Sequence, residues 1–437
     1  MWVMAGLLKP ARWAMLGAAL SLTTLGSVAV ATEVHPFTQA VAYALQHNPA
    51  MAEKQADLGA AEEKPSSTAA ALRPDISFTG KVAHTGLFYH DTTTRTDPHT
   101  LQVDLTQSVY NRSLWVADEQ AEPYVNAAVH DVADTMQATI LDVAKVYLGV
   151  LEAQEVEALS AENLKVTKRH LEATQARFEV GETTRTDVRQ AEARVAEAVA
   201  ELQTSKNSTR VAHAQYREKI RLDAPENMPL PELTDSYMDQ PLNILVDMAE
   251  AERPDMRAAR DRLKITELDV KSAKAGHWPT LTFLANGTFT DNSETGGLTQ
   301  DTRYYSFTLQ AAVPIYEGGG TESGIREAKH ELSSSRADMD SKYLQIKREV
   351  EEALLSYHSA VAVVKSYESA LAAAKDALDG VEQEFQVGTR TALDLLDQQK
   401  EVFRNETELT KRRYSVVEAR FTLLEAIGKL TPAELGM

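Results

Sequence analysis

Apolar residues along this chain follow two periods. Tyr343, Ile346, Val350, Leu354, Tyr357, Val361, Val364, Leu371, Ala374, Leu378, Val381 and Phe385 recur at spacings of mostly three and four. That is a coiled-coil seam, and it predicts one helix over Gly320–Val387, roughly 100 Å long. A second long helix is expected from about Leu114 to Val180, interrupted only by Pro123, with a returning helix from Asp187 to about Arg221. Elsewhere the period drops to two. Ile76, Phe78, Gly80 and Val82 alternate with polar residues, as do Leu101, Val103, Leu105 and Val109. These predict two amphipathic strands around a polar loop, His90–His99. Leu281, Phe283 and Ala285, then Tyr305, Phe307, Leu309, Ala311 and Val313, predict a second pair around the polar loop Asp291–Arg303. Phe37–Glu63 reads as a helix broken at Pro49, because an interior proline costs ~3 kcal/mol.

The pattern repeats. Pro254 lies 205 residues beyond Pro49, Pro279 lies 205 beyond Pro74, Tyr316 lies 206 beyond Tyr110, and Gly388 lies 207 beyond Gly181. A register held this closely over half the chain implies a duplicated unit. The expected division is an export signal at 1–31 and a first repeat at 32–222, with a strand hairpin at 74–110 and a helical tip near 181–187. A connector rich in Pro, Asp and Asn follows at 223–240. The second repeat is 241–437, with a strand hairpin at 279–316 and a tip near 388–394.

Composition narrows the function. The chain has 437 residues, a formal charge of −19 and no cysteine. The charge argues against nucleic acid as a partner. The missing cysteine excludes disulfides, thiol catalysis, cysteine metal sites and a lipidated N-terminal cysteine. Lys9 and Arg12, the short apolar run Ala14–Leu25 and the small-x-small site Ala29-Val30-Ala31 read as a cleavable leader, with an uncleaved anchor as the alternative. The mature chain would begin at Thr32. No other stretch approaches the ~20 apolar residues of a membrane helix, so entry into a membrane must be by strands. Four strands per chain cannot close a spanning barrel, which needs about eight or more; three copies would supply twelve. The polar loops suit the outside of an outer membrane, and the helices then point into the periplasm.

No enzyme chemistry stands out. The 11 histidines show no His-x-x-x-His spacing, and His358 on the coiled coil reads as packed or solvated. No Ser-His-Asp arrangement follows from the spacing. Gly318–Gly320 reads as a bend between strand and helix rather than a phosphate loop. No metal or cofactor is expected.

The candidate chemistry lies at the two tips. Phe178-Glu-Val-Gly181 leads to Thr186-Asp187, and Phe385-Gln-Val-Gly388 leads through Thr-Arg390-Thr to Asp394-Leu-Leu-Asp397. Aligning Gly181 with Gly388 places Phe178 on Phe385 and Asp187 on Asp394. Asp394 and Asp397 are three apart and share a helix face. They are either acids favoured at a helix start by its dipole or the charge lining a constriction. Arg390 is either solvated or a partner for the other tip.

These residues resemble the TolC-type outer-membrane efflux proteins over nearly the whole mature chain. The resemblance is carried by Leu105-Thr-Gln-Ser-Val-Tyr110, Arg177-Phe-Glu-Val-Gly181 with Thr186-Asp187, Val387-Gly-Thr-Arg-Thr391 with Asp394-Leu-Leu-Asp397, and Ala426-Ile-Gly-Lys-Leu-Thr431 with Glu434-Leu435. It implies an α+β membrane protein: a homotrimer whose twelve-stranded transmembrane barrel in outer-membrane lipid continues into a twelve-helix periplasmic α-barrel with an openable entrance. The implied function is an exit duct for efflux of small molecules, for type I secretion of polypeptides, or for both. The implied partners are a periplasmic adaptor and an inner-membrane transporter of RND, ABC or MFS type. Asp394 and Asp397 would form the selectivity ring, and Arg390 would bond Thr186 and Asp187 to lock the entrance. Where some relatives carry a tyrosine in that lock this chain has Phe385, which brings no hydroxyl and implies a weaker lock. Without an acylated cysteine the chain is similar to the non-lipidated branch. The competing reading is a structural envelope protein, a barrel-anchored coiled-coil fibre or adhesin, which would need no matched tips.

Overall fold

The computed structural model describes residues 36–437, apart from 90–91, 234–235 and 296–297. The expected leader, 1–31, lies outside the described residues.

The first half opens with helices α1 (Pro36–His47) and α2 (Pro49–Glu62). The Asn48 side chain between them accepts the Ala50 N–H at 2.8 Å. Pro49 takes the first helical position, where its missing N–H costs nothing. A short helix α3 (Lys64–Ala70) leads to strand β1 (Asp75–Val82), and after a small ribbon, strand β4 (His99–Tyr110) returns. Asn111 then caps helix α4 (Arg112–Glu179), accepting the Ser113 N–H at 3.0 Å. Pro123, expected to interrupt this helix, sits buried inside it. It has no N–H to give the Glu119 carbonyl, but packing of a 68-residue helix on both sides outweighs the loss of one bond. Helix α5 (Arg185–Ile220) completes the hairpin. The second half runs through α6 (Leu242–Glu252), α7 (Pro254–Lys274), β5 (Thr280–Thr295), β6 (Leu298–Ala312), α8 (Gly320–Gln386) and α9 (Ala392–Ala426).

Strands pair in the order β1–β4–β5–β6, all antiparallel. Register places Ile76 opposite Leu105, Phe78 opposite Val103, Leu105 opposite Ala285, and Ala285 opposite Phe307. These residues form one apolar face. The other face carries Asp104, which accepts from Gln102 at 2.8 Å and from Asn286 at 2.6 Å. The two expected loops are corrected. Within His90–His99 the chain forms half of a two-stranded ribbon, β2 (Thr85–Tyr89) with β3 (Thr92–Thr96), so the described residues of each chain hold six strands, not four. Within Asp291–Arg303, β5 and β6 simply continue. Both segments are rich in threonine, a β-branched residue that fits a strand despite its polarity.

The helices repeat the order of the sheet. Beside the strands they stand as α3–α4–α7–α8, and farther along as α5–α4–α9–α8. Their core lies where α1 crosses the long helices. Phe37 meets Tyr147 edge to face at 5.3 Å and Phe421 in a tilted contact at 5.4 Å, all three buried. Each such side chain stabilises by about 1.5–3 kcal/mol. The Tyr147 hydroxyl donates to the Pro229 carbonyl at 2.9 Å, tying in the connector. A charged knot joins the start of α7 to α8. Buried Arg253 meets Asp255 and Glu349, each at 2.8 Å, and Lys342 meets Asp255 at 2.9 Å. Gly428, with φ +74°, presses on the Arg253 backbone so closely that a Cβ would fall 2.8 Å from its nitrogen.

Candidate functional site

Helices α4 and α8 are 68 and 67 residues long, so each tip stands roughly 100 Å from the strands at 1.5 Å per residue. Each long helix ends in the same way. Gly181 (φ +80°) donates its N–H to the Phe178 carbonyl at 3.0 Å, and Glu182 donates to Arg177 at 2.8 Å. Gly388 (φ +81°) donates to Phe385 at 3.1 Å, and Thr389 to Glu384 at 2.9 Å. Glycine enters this left-handed region without a Cβ penalty.

Each returning helix also starts in the same way. The Thr184 hydroxyl accepts the Asp187 N–H at 3.2 Å, while the Asp187 carboxylate accepts the Thr184 N–H at 2.9 Å and hydroxyl at 2.7 Å. The Thr391–Asp394 pair does the same, at 3.2, 3.0 and 2.8 Å. These reciprocal pairs are capping boxes. Asp187 accepts a further bond from the Thr183 hydroxyl at 2.7 Å. Hydrogen bonds from Thr183 and Thr184 hold the Asp187 carboxyl below the usual carboxylate range, and those from Thr391 do so for Asp394. Both stay ionised near neutrality, and Asp394 is a cap whatever else it does.

The two tips share one cleft of about 450 Å³, lined by Asp187, Thr184, Arg177, Phe385 and Arg390 among others. Three of the residues expected to act together, Asp187, Phe385 and Arg390, are thus neighbours, but not as the sequence suggested. Within one chain Arg390 Nε meets Glu384 at 2.7 Å on its own side of the cleft. Thr186, exposed on the first turn of α5, makes no side-chain hydrogen bond among the described residues. Across the cleft, Phe385 lies under the guanidinium of Arg177, 4.2 Å from ring centre to carbon. That is a cation–π contact, and the phenylalanine needs no hydroxyl to make it.

Asp397 is engaged too. Its Oδ1 accepts from Arg194 Nη2 of α5 at 2.5 Å. Arg194 Nη1 reaches Glu197 at 2.8 Å, and Lys400 reaches the same Glu197 at 3.3 Å. Reasoning from sequence missed Arg177, Arg194 and both threonine caps. The Thr-x-x-Asp spacing at each tip was a readable signal for the caps; no local pattern points to the two arginines, whose partners lie some 200 residues away.

Comparison with known proteins agrees with this architecture. A sequence profile described as "Outer membrane efflux protein" matches residues 40–218 and 245–429. The chain is 28% identical to the "Outer membrane protein TolC" of Vibrio cholerae over 423 residues, 94% of each chain. It is 29% identical to the "Outer membrane efflux protein BepC" of Brucella suis over 72% of this chain and 69% of that one. It is 28% identical to the "Alkaline protease secretion protein AprF" of Pseudomonas aeruginosa, over 68% and 63%. The fold also superposes on the CmeC outer membrane channel of Campylobacter jejuni with a TM-score of 0.78 at 13% identity, over 90% and 86% of the two chains.

Proposed function

The chain belongs to the outer membrane efflux protein family, and on that ground we propose that it is an outer-membrane exit duct built by three copies. It exports small molecules, polypeptides by type I secretion, or both. It draws its energy from an inner-membrane transporter of RND, ABC or MFS type through a periplasmic adaptor. The relatives named for efflux and for protease secretion support both cargo classes.

The observation that carries this reading is the shared order of strands and helices. One side of the chain ends in β1, α3 and α5, the other in β6 and α8. Both sheet edges are unpaired, which lipid does not tolerate. Apolar residues stay exposed along both sides: Val199 and Val211 on α5, Leu344 and Leu355 on α8. Where β6 turns into α8, Ile315 is 95% and Tyr316 88% exposed. A second copy laid edge to edge covers all of these at once and repeats the step. Such a heterologous contact closes into a ring, and three copies of the four-stranded sheet supply the twelve strands of a barrel.

In that ring we assign Asp394 and Asp397 to the constriction. Arg390, Thr186 and Asp187 form the lock between neighbouring copies, with Phe385 beside it and Gly181 and Gly388 setting the turns. Residues 1–31 are the export signal. The test is assembly. Mass measurement on detergent-extracted protein should give three chains, each starting at Thr32 without lipid. Phe307→Arg, on the apolar sheet face, should cut trimer yield, at about 2–4 kcal/mol per chain near the membrane midplane. A monomer, or normal yield from the arginine variant, would overturn the ring.

A further inference from the structure

We propose that Arg194 is a specificity-determining residue of the duct: it masks Asp397 while the two helical hairpins of a chain are together and releases it when they part. The proposal rests on the exit-duct reading, in which Asp397 stands at the constriction.

The bond joins different hairpins. Arg194 is on α5, in the first hairpin, and Asp397 is on α9, in the second, with 2.5 Å between Nη2 and Oδ1. The other nitrogen of the same guanidinium holds Glu197 at 2.8 Å, three residues along its own helix. The planar fork of arginine lets it serve both carboxylates at once. Lys400, from α9, crosses back to Glu197 at 3.3 Å. The result is an alternating ladder, Asp397–Arg194–Glu197–Lys400, beside a cleft of about 320 Å³ between the hairpins. Glu201 also lines this cleft, where burial raises its carboxyl above the usual range.

This wiring is asymmetric. The Arg194–Glu197 pair lies within one helix and survives any movement of the hairpins. The Arg194–Asp397 bond survives only while α5 and α9 stay close. When α9 withdraws, Arg194 keeps Glu197 and Asp397 loses its countercharge. In a ring of three, Arg194 would match three of the six carboxylates of Asp394 and Asp397 when the hairpins are together and none when they part. A constriction lined by uncompensated carboxylates attracts cations. Opening therefore sharpens cation preference as well as widening the path.

The experiment uses the full-length protein in planar bilayers under a KCl gradient, with Mg²⁺ alone as the blocking probe. Arg194→Gln should move the reversal potential toward that of potassium. It should also lower the Mg²⁺ concentration for half block by about thirtyfold, the population ratio that one unit charge acting on a divalent ion at 4 Å confers in water. Arg194→Lys, which keeps the charge, should restore the parental values. In an Asp397→Asn background, Arg194→Gln should change neither reading. An equal shift in that background, or none in the parental one, would overturn the masking role while leaving the duct in place. A parental protein that forms no conducting channel would overturn the duct reading and this proposal together.

Discussion

Arg390 shows how much a residue's role depends on the copy next door. Within one chain it is satisfied by Glu384, so the proposed reach to Thr186 and Asp187 would be a contact between copies. Arg390→Ser should raise basal conductance severalfold. Adding Asp187→Ala to it should give little more, because the two would share one bond. Unchanged conductance in both single variants would remove the lock, leaving Arg390 as a surface ion pair of little weight. The twin phenylalanines and glycines of the tips were legible in the sequence because a helix stop demands them locally. The Arg177–Phe385 contact was not, since a cation–π pair between helices leaves no trace in spacing.

Among elements, the long helices were the most legible part of the fold. The apolar seam of α8 repeats many times, and α4 could be read from Leu114 to Val180 although Pro123 was expected to interrupt it. The strands were legible where polar and apolar residues alternate, as in Leu101–Val109. They were hidden where both faces are polar, as in Thr92–Thr96. An element with no apolar face announces no period, whereas β-branching alone still favours extension. Glycine positions separate two kinds of demand. At Gly388 a Cβ meets nothing within 4 Å, so Gly388→Ala meets only left-handed strain, about 1–2 kcal/mol. At Gly428 the same strain is joined by a backbone collision at 2.8 Å with Arg253. Gly428→Ala should therefore lower the thermal midpoint clearly more than Gly388→Ala does. Equal midpoints would mean that the Arg253 knot yields freely and does not anchor the second half.

At the scale of the molecule, the chain leaves both sheet edges and its outer helices open, as one segment of the proposed ring would. No helix among the described residues is long and apolar enough to cross a membrane, and in the proposed ring the apolar sheet face is the surface that would meet lipid. The duplication was visible as a steady offset, and four amphipathic strands per chain argued for several copies. How the halves meet was not visible, because it depends on pairs such as Arg194 with Asp397 and Arg177 with Phe385, whose members lie some 200 residues apart in the chain. The proposed exit duct requires that the assembled protein conduct. The direct measurement is single-channel current from the purified full-length protein in a planar bilayer. The duct predicts discrete, uniform current steps that prefer cations, and a weaker preference when Asp394 and Asp397 are both replaced by alanine. A trimer that inserts into the bilayer and passes no current would contradict it and return the chain to the fibre reading.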